Sequence, residues 1–280
     1  MRLADLAELV RAPAALTVPG DVLAGAVAAD NLRPGRLAGL AASSICIYWA
    51  GMALNDWADR WVDAIERPER PIPSGRVSPQ AAFGLASALT AAGLGLARAA
   101  GGRAGLRTSA LLAVTAWSYD LGAKNTPAGP AFMAAARSLD VLVGAGERRR
   151  KAWAPALAVG THILGVTAMS RGEVHGSTPL PARGALAATS AITAGTVAGS
   201  TGLTTAVLAG LFVQEVGPAQ LAAAQSPTGP GLRKAVGAGI HGLVPLQAAW
   251  CARGGAPRLG AALMAALPLA RALARKVSPT

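Results

Sequence analysis

The chain has 280 residues, of which 52% are hydrophobic, 14% charged and 4% aromatic. Soluble domains carry about 25% charged residues, so the composition favours a multispanning helical membrane protein and leaves a soluble helical binding protein as the weaker alternative. A membrane barrel is disfavoured because the apolar runs are continuous instead of alternating. The formal charge of +12 does not indicate nucleic-acid binding, because aromatic residues for base stacking are scarce and the arginines sit in short connectors.

Ten apolar runs follow one another along the chain. Residues 184–216 are weakly apolar and interrupted by AGSTG, so nine and ten spans both stay open. Lipid excludes unpaired backbone groups, so each span must be helical. We therefore predict an all-α, polytopic transmembrane bundle of about nine helices, one domain over residues 1–280, with candidate spans at 13–30, 38–56, 79–99, 104–122, 128–146, 152–170, 184–200, 201–216, 231–251 and 257–275.

Three connectors are longer and more polar than the others: residues 56–78, 119–129 and 170–183. They follow the second, fourth and sixth predicted spans. If the spans alternate in direction, all three open on the same face of the membrane, and we expect them to form one site. Basic residues divide almost evenly between the two faces, so the positive-inside rule does not orient the bundle.

The first polar connector begins with NDWADRWVD, residues 55–63. Asp56, Asp59 and Asp63 are spaced by three and four residues, so on a helix that extends the second span they share one face. Stacked carboxylates near hydrocarbon repel one another and are costly to bury. A divalent cation would offset that cost, and Mg²⁺ binds one or two carboxylates together with phosphate oxygens. The spacing therefore predicts a magnesium site that holds a diphosphate through the metal.

Three arginines, Arg67, Arg70 and Arg76, follow in ERPERPIPSGR. The prolines favour a stiff, irregular loop over a helix. Guanidinium groups on such a loop can hold phosphate oxygens with two hydrogen bonds each. The alternative is a solvated loop whose charges pair with one another.

Together, NDWADRWVD and ERPIPSGRVS resemble the first aspartate-rich motif of the UbiA superfamily of intramembrane prenyltransferases. The layout is similar too, since that family is a bundle of nine helices with polar loops after the second, fourth and sixth. The resemblance implies Mg²⁺-dependent transfer of an isoprenoid chain from a prenyl diphosphate to an aromatic or other lipophilic acceptor. It also implies a multi-pass protein of a bacterial-type cell membrane with its active loops on the cytoplasmic side.

The same resemblance assigns roles to individual residues. Asn55, Asp56, Asp59 and Asp63 are expected to hold metal and diphosphate. Arg67 and Arg70, with Ser74 of the same motif, are expected to bind the leaving group. In the second connector, Tyr119 and Lys124 look like the family's tyrosine and basic residue near the diphosphate.

The third connector departs from the family, which carries a second aspartate-rich motif there. This chain has SRGEVHG, residues 170–176. Glu173 remains as a candidate metal ligand and catalytic carboxylate, and Arg171 can supply positive charge in place of a second ion. His175 fits a proton acceptor or a hydrogen-bond donor to the diphosphate, or a loop histidine without a role, because imidazole is a poor Mg²⁺ ligand.

The SRGEVHG form is similar to UbiA-like proteins of bacterial ebo-type gene clusters, the EboC-like branch. A second function therefore stays open beside the enzyme: a non-catalytic carrier or transporter that moves a lipophilic metabolite through the same bundle.

Polar residues also occur inside the predicted spans. Arg137 and Asp140 are three residues apart, which allows a mutual ion pair on one helix face, and Arg137 can alternatively reach the diphosphate. His162, His241 and Gln247 lie in apolar surroundings and are expected to make interhelical hydrogen bonds. Cys46 and Cys251 are too far apart in sequence to suggest a disulfide framework or a zinc site.

Overall fold

The computed structural model describes residues 2–200, 202–265 and 268, and within them every regular element is a helix. Short 3₁₀ helices occupy Ala12–Thr17, Ala123–Asn125 and Gly146–Ala152. The α-helices are α1 (Leu3–Leu9), α2 (Val18–Ala28), α3 (Pro34–Ala58), α4 (Arg60–Glu66), α5 (Pro79–Leu121), α6 (Gly129–Ala145), α7 (Trp153–Ser170), α8 (Leu180–Val197), α9 (Leu203–Gln225) and α10 (Gly229–Arg253).

Helix α5 is a hairpin of two arms that reverses at Gly102. This residue has φ 63° and ψ −152°, a conformation that is essentially restricted to glycine. Trp117 Nε1 donates a hydrogen bond of 3.1 Å to Thr90 Oγ1, although a straight helix would separate these residues by about 40 Å. The arms, residues 79–101 and 103–121, confirm the two spans predicted at 79–99 and 104–122.

A second hairpin joins α6 to α7 through the 3₁₀ helix that starts at Gly146, where φ is 61°. Ser138 Oγ of α6 donates a hydrogen bond of 2.9 Å to the Ala156 carbonyl of α7. Five stretches of the described chain are long and apolar enough to cross a membrane, and both hairpins are among them: Pro34–Ala58, Pro79–Leu121, Gly129–Ser170, Leu203–Gln225 and Gly229–Arg253. With the hairpin arms counted separately, and with α2 and α8, the described residues up to Arg253 form nine helices of the bundle, in line with the prediction of about nine.

Some predicted boundaries are wrong. The span predicted at 13–30 is an α-helix only over Val18–Ala28, and the residues before it, Ala12–Thr17, form a 3₁₀ helix instead. The span predicted at 201–216 continues to Gln225, through Pro218. Of the span predicted at 257–275, residues 257–265 are helical, and most of the remainder lies outside the described residues.

Glycines bring α2 and α6 into backbone contact. A Cβ atom at Gly25 would collide with the Val141 carbonyl, and one at Gly144 would collide with the Val22 carbonyl. Small residues allow this approach in lipid, where helices associate by close packing. The contact sets buried polar side chains of the two helices, Asp21 on α2 and Asp140 on α6, next to each other.

Candidate functional site

The three polar connectors meet at one end of the bundle, as predicted. Lys124 of the second connector places its Nζ 2.7 Å from Asp59 Oδ1 of the first. Arg171 of the third donates a hydrogen bond of 2.7 Å to the Thr126 carbonyl of the second. These two contacts join the loops into one polar surface above the helices.

The connectors surround a polar cavity of about 350 Å³. Its charged lining consists of three carboxylates and three cations. Such a lining suits an anion that arrives with its own metal cation, because the carboxylates attract the metal and the cations attract the anion. The lining residues are Asp59, Val62, Asp63, Glu66, Arg67, Tyr119, Lys124, Asn125, Gly129, Pro130, Thr167, Ser170 and Arg171.

Asp59 lies at the break between α3 and α4. Its backbone has φ −87° and ψ 0°, so α3 ends at Ala58 and α4 begins at Arg60. Its side chain is 33% exposed, whereas that of its partner Lys124 is 10% exposed. Asp59 is therefore a carboxylate of the first motif that is both on the cavity wall and accessible.

The single aspartate face predicted for residues 56–63 is divided. Arg70 Nη1 lies 2.7 Å from Asp63 Oδ2 and 3.4 Å from Asp56 Oδ1, and Arg11 Nη2 lies 2.9 Å from the same Asp56 oxygen. Asp56 and Asp63 are 4% and 3% exposed, so both need a positive partner. Asp56 does not line the cavity.

The other loop residues also pair within the protein. Arg76 contacts Glu8 Oε2 at 2.6 Å and Asp5 Oδ1 at 3.1 Å, which ties α1 to the loop. Hydrogen bonds from Arg2, and then from Arg76, lower the pKa of Asp5 to about 2. Ser74 Oγ donates to the Arg70 carbonyl. For Arg70, Arg76 and Ser74 the structure thus shows the alternative of a self-paired loop, whereas Arg67 lines the cavity.

A second, smaller cavity of about 80 Å³ lies between α2, α3, α5 and α6 of the bundle core. Tyr119 lines both cavities, so they are adjacent. Most of the wall is apolar, but Asp120, Arg137 and Asp140 contribute charged groups. The other lining residues are Val18, Ser44, Ile47, Tyr48, Gly51, Met52, Leu112, Ala116, Met133 and Ala136.

The predicted ion pair between Arg137 and Asp140 is wrong. Arg137 Nη2 lies 2.6 Å from Asp21 Oδ2 of α2, because the close approach of α2 and α6 offers a nearer carboxylate. Gln247 of α10 donates a hydrogen bond of 2.7 Å to the other oxygen of Asp21. The predicted interhelical bonds of Gln247 and of His162, which contacts the Gly239 carbonyl at 2.8 Å, are confirmed.

Comparison with known proteins decides the family. Residues 17–172, more than half of the chain, match the profile of the UbiA prenyltransferase family. The chain belongs to the UbiA prenyltransferase family. It is 41% identical over 111 residues to the digeranylgeranylglyceryl phosphate synthase of Methanopyrus kandleri, a stretch that covers 39% of this chain and 38% of that protein. The chain thus matches well under half the length of this curated relative.

Two solved structures share the fold of this UbiA protein. The apo structure of a UbiA homolog from Aeropyrum pernix K1 superimposes with a TM-score of 0.68 at 20% identity, covering 81% of this chain and 94% of that one. A UbiA homolog from Archaeoglobus fulgidus, bound to GPP and Mg²⁺, gives a TM-score of 0.52 at 13% identity, covering 90% and 99%. Family and apolar helices together make this an integral membrane protein.

The third connector of this UbiA protein does not complete the polar cavity with its acidic residue. Neither Glu173 nor His175 lines the cavity, and the His175 side chain is exposed. Burial raises the pKa of Glu173, and the nearby Arg233 and Arg67 oppose that shift. Of the three site residues predicted in this connector, Arg171, Glu173 and His175, it is Arg171 that lines the cavity.

Several functional candidates of this UbiA protein were missed from the sequence. Asp120 is 4% exposed and accepts a hydrogen bond of 3.1 Å from Asn55, which does not line the polar cavity. A carboxylate beside Tyr119 at the end of an apolar run was a visible signal. Arg11 and Asp21 had no such signal, because their partners lie 45 and 116 residues away in the chain, at Asp56 and Arg137.

Proposed function

We propose that this UbiA protein is a Mg²⁺-dependent intramembrane prenyltransferase that moves an isoprenoid chain from a prenyl diphosphate to a lipophilic acceptor. The observation that carries the proposal is the polar cavity with its mixed acidic and basic wall, directly beside an apolar cavity in the bundle core. Relatives named digeranylgeranylglyceryl phosphate synthase and a fold neighbour bound to GPP and Mg²⁺ support it. We place the polar connectors on the cytoplasmic side as part of the same proposal.

The basic residues of the cavity bind the leaving group. As the bond between C1 of the isoprenoid and the diphosphate oxygen breaks, negative charge grows on the diphosphate. Lys124, Arg67 and Arg171 line the cavity from three different connectors, so their positive charges surround the site where that charge develops. Positive charges that are already in position stabilise such a transition state.

The carboxylates fit a bound magnesium ion. Among the described residues no three acidic, histidine or cysteine side chains are grouped as a preformed metal centre. Mg²⁺ does not require one, because it takes one or two carboxylates and completes its shell with phosphate oxygens and water. Asp59 would hold it, with Asp63 beside it on the cavity wall. When bound, the ion supplies further positive charge to the departing diphosphate.

The apolar core cavity shields the allylic cation that the departing diphosphate leaves behind. Its wall is built from aliphatic and aromatic side chains such as Ile47, Leu112 and Tyr48, which exclude water from C1. Tyr119 stands at the junction of the two cavities. In the proposed reaction its aromatic ring faces the allylic cation, because an electron-rich ring face stabilises positive charge.

A non-catalytic carrier on the same scaffold is the less favoured function. A carrier needs an apolar passage, but it has no need for three cations from three connectors around one polar cavity. The relatives are named as synthases, which also favours an enzyme.

The proposal predicts Mg²⁺-dependent release of diphosphate by the purified protein in detergent. The assay uses radiolabelled prenyl diphosphates of ten, fifteen and twenty carbons with a phenol, an aromatic carboxylate and a glycerol phosphate ether as acceptors. We expect a prenylated product from at least one pair, loss of product with EDTA, and its return when Mg²⁺ is restored. If neither product nor Mg²⁺-dependent binding of any prenyl diphosphate is detected, the enzyme proposal fails.

A further inference from the structure

Positive charge is concentrated at the end of the bundle opposite the polar connectors. Three segments carry it: the loop between α2 and α3, the turn of the α5 hairpin, and the turn between α6 and α7, at residues 29–36, 98–107 and 146–151. Together they contain nine Lys or Arg residues and two acidic residues, whereas the whole chain has 26 and 14. The nine cations of these segments are called the basic face below.

The three segments lie against one another, so the basic face is one surface. Arg148 Nη1 donates a hydrogen bond of 3.4 Å to the Ala29 carbonyl. A Cβ atom at Gly146 would come within 2.7 Å of Arg36 Nη2, so the Arg36 guanidinium packs on the turn between α6 and α7. Helix α3 also contacts the α5 turn at Ala100.

The charges of the basic face are largely uncompensated within the protein. Among the described residues, Lys151 is the one cation of this face with a carboxylate within 4.0 Å, that of Asp30 at 2.6 Å. At the polar connectors, by contrast, Arg70, Arg76 and Lys124 all pair with carboxylates. Seven of the nine basic-face residues are exposed. The face therefore presents a net positive surface to whatever lies outside the bundle.

The basic face lies at the depth of the lipid head groups. The arginines of the α5 turn are no more than five residues from Gly102, which is about 7.5 Å along a helix. The head-group layer is about 5–7 Å thick on each side of the hydrocarbon, and long basic side chains extend toward it. The phosphates of the lipids are thus the anions within reach of these side chains.

Apolar side chains beside the basic face favour a lipid over a water-soluble anion. Leu32 precedes the cations of the first loop and is 48% exposed, and Trp153 follows the turn between α6 and α7 and is 51% exposed. Tryptophan is enriched where a membrane protein meets the interface. A soluble polyanion has no use for such side chains, whereas the acyl chains of a lipid contact them directly.

We propose that the basic face binds the head groups of anionic phospholipids, with the acyl chains against Leu32 and Trp153. Guanidinium groups hold phosphate oxygens with paired hydrogen bonds. Arg149 Nε donates to the Gly146 carbonyl at 3.3 Å, which fixes the side chain and leaves its other N–H groups for a phosphate. A zwitterionic head group brings its own ammonium ion, so a lipid with net negative charge binds better. This binding is independent of the proposed prenyltransferase function.

Lipid retention in native mass spectrometry tests the proposal without catalysis. The protein in a neutral detergent is mixed with dioleoyl phosphatidylglycerol or dioleoyl phosphatidylcholine, which have the same acyl chains. We expect at least about tenfold higher retention of phosphatidylglycerol. The preference should fall between about 0.1 M and about 1 M ammonium acetate, because the Debye length shortens from about 10 Å to about 3 Å. Equal retention of the two lipids, or full displacement of phosphatidylglycerol by soluble polyphosphate, overturns the proposal.

Two triple variants that remove the same charge locate the binding surface. Replacing Arg148–Arg150 with Gln, which leaves the pair of Lys151 with Asp30 in place, should lower phosphatidylglycerol retention at least about tenfold. The control removes three cations at the connector end and should stay within about threefold of the unmodified protein: Arg60→Gln, Arg183→Gln and Lys234→Gln. An equal fall in both variants would show that retention follows net charge and not this face, which contradicts the proposal.

Crosslinking of the unmodified protein tests the location without any variant. Phosphatidylglycerol and phosphatidylcholine that carry a diazirine on the acyl chain are irradiated with the protein, and labelled peptides are mapped. The ratio of phosphatidylglycerol to phosphatidylcholine labelling should be at least about threefold higher around Leu32 and Trp153 than around Leu180. Leu180 is 75% exposed and lies at the connector end. A ratio at Leu32 and Trp153 no higher than at Leu180 refutes the proposal.

Discussion

Replacing Asp59 with Asn lowers the rate of diphosphate release at least about 100-fold, as expected for the loss of one transition-state charge contact in a shielded site. Asparagine keeps the shape of the side chain but removes the negative charge that attracts Mg²⁺. Asp59 lines the polar cavity, and its side chain is 33% exposed, so the fold does not depend on its burial. The measurement is the initial rate at several Mg²⁺ concentrations, at which the variant should also need more Mg²⁺.

An aspartate at the other end of the bundle supplies the matched control. Asp30 pairs with Lys151 at 2.6 Å, much as Asp59 pairs with Lys124 at 2.7 Å, but it lies outside both cavities. Asp30→Asn should keep the normal rate and Mg²⁺ dependence. An Asp59→Asn rate within a factor of about three of the Asp30→Asn rate would show that Asp59 does not hold the metal.

Replacing Arg70 with Met lowers the free energy of unfolding by about 3–5 kcal/mol, the usual penalty for a buried charge that loses its partner. Arg70 Nη1 lies 2.7 Å from Asp63 Oδ2 and also neutralises Asp56. Arg11 still pairs with Asp56, which it contacts at 2.9 Å. Asp63 is therefore the buried carboxylate that is left without a cation in the variant. The measurement is thermal unfolding in detergent, followed by circular dichroism and by loss of a folded gel-filtration peak.

A second substitution separates the charge effect from lost packing. Arg70→Met combined with Asp63→Asn should recover at least half of the lost stability, because no unpaired charge remains at position 63. Arg60→Met is the control. Arg60 donates a hydrogen bond of 2.7 Å to the Trp57 carbonyl and lies over the rings of Trp57 and Trp61, but it pairs with no carboxylate among the described residues, so its loss should cost about 1–2 kcal/mol. A double variant that is less stable than Arg70→Met alone would contradict the explanation that Arg70 stabilises the fold by neutralising the buried charge of Asp63.

The sequence predicts the bundle and the wall of the polar cavity well. Apolar runs locate both arms of α5, and the order of the connectors predicts that Asp59, Tyr119 and Lys124 meet. These inferences succeed because they depend on span direction and local spacing alone, which lipid constrains strongly.

Partner choice among the charged side chains was not predictable in the same way. A three-and-four spacing predicts one face only if the helix is continuous, and the break at Asp59 sends Asp63 toward Arg70 instead. Likewise, Arg137 has Asp140 on its own helix at favourable spacing, but glycine contacts between α2 and α6 bring Asp21 nearer. Both outcomes depend on how helices pack, which the residue pattern of one helix does not contain.

A crystal structure with a prenyl thiolodiphosphate, which resists cleavage, and with Mn²⁺ in place of Mg²⁺ tests the central claim most directly. The account predicts anomalous density for Mn²⁺ at Asp59, with the diphosphate within hydrogen-bond distance of Lys124 and Arg67. Diphosphate bound instead at the basic cluster Arg148–Arg150 and Lys151, at the other end of the bundle, with no metal at Asp59, would contradict it.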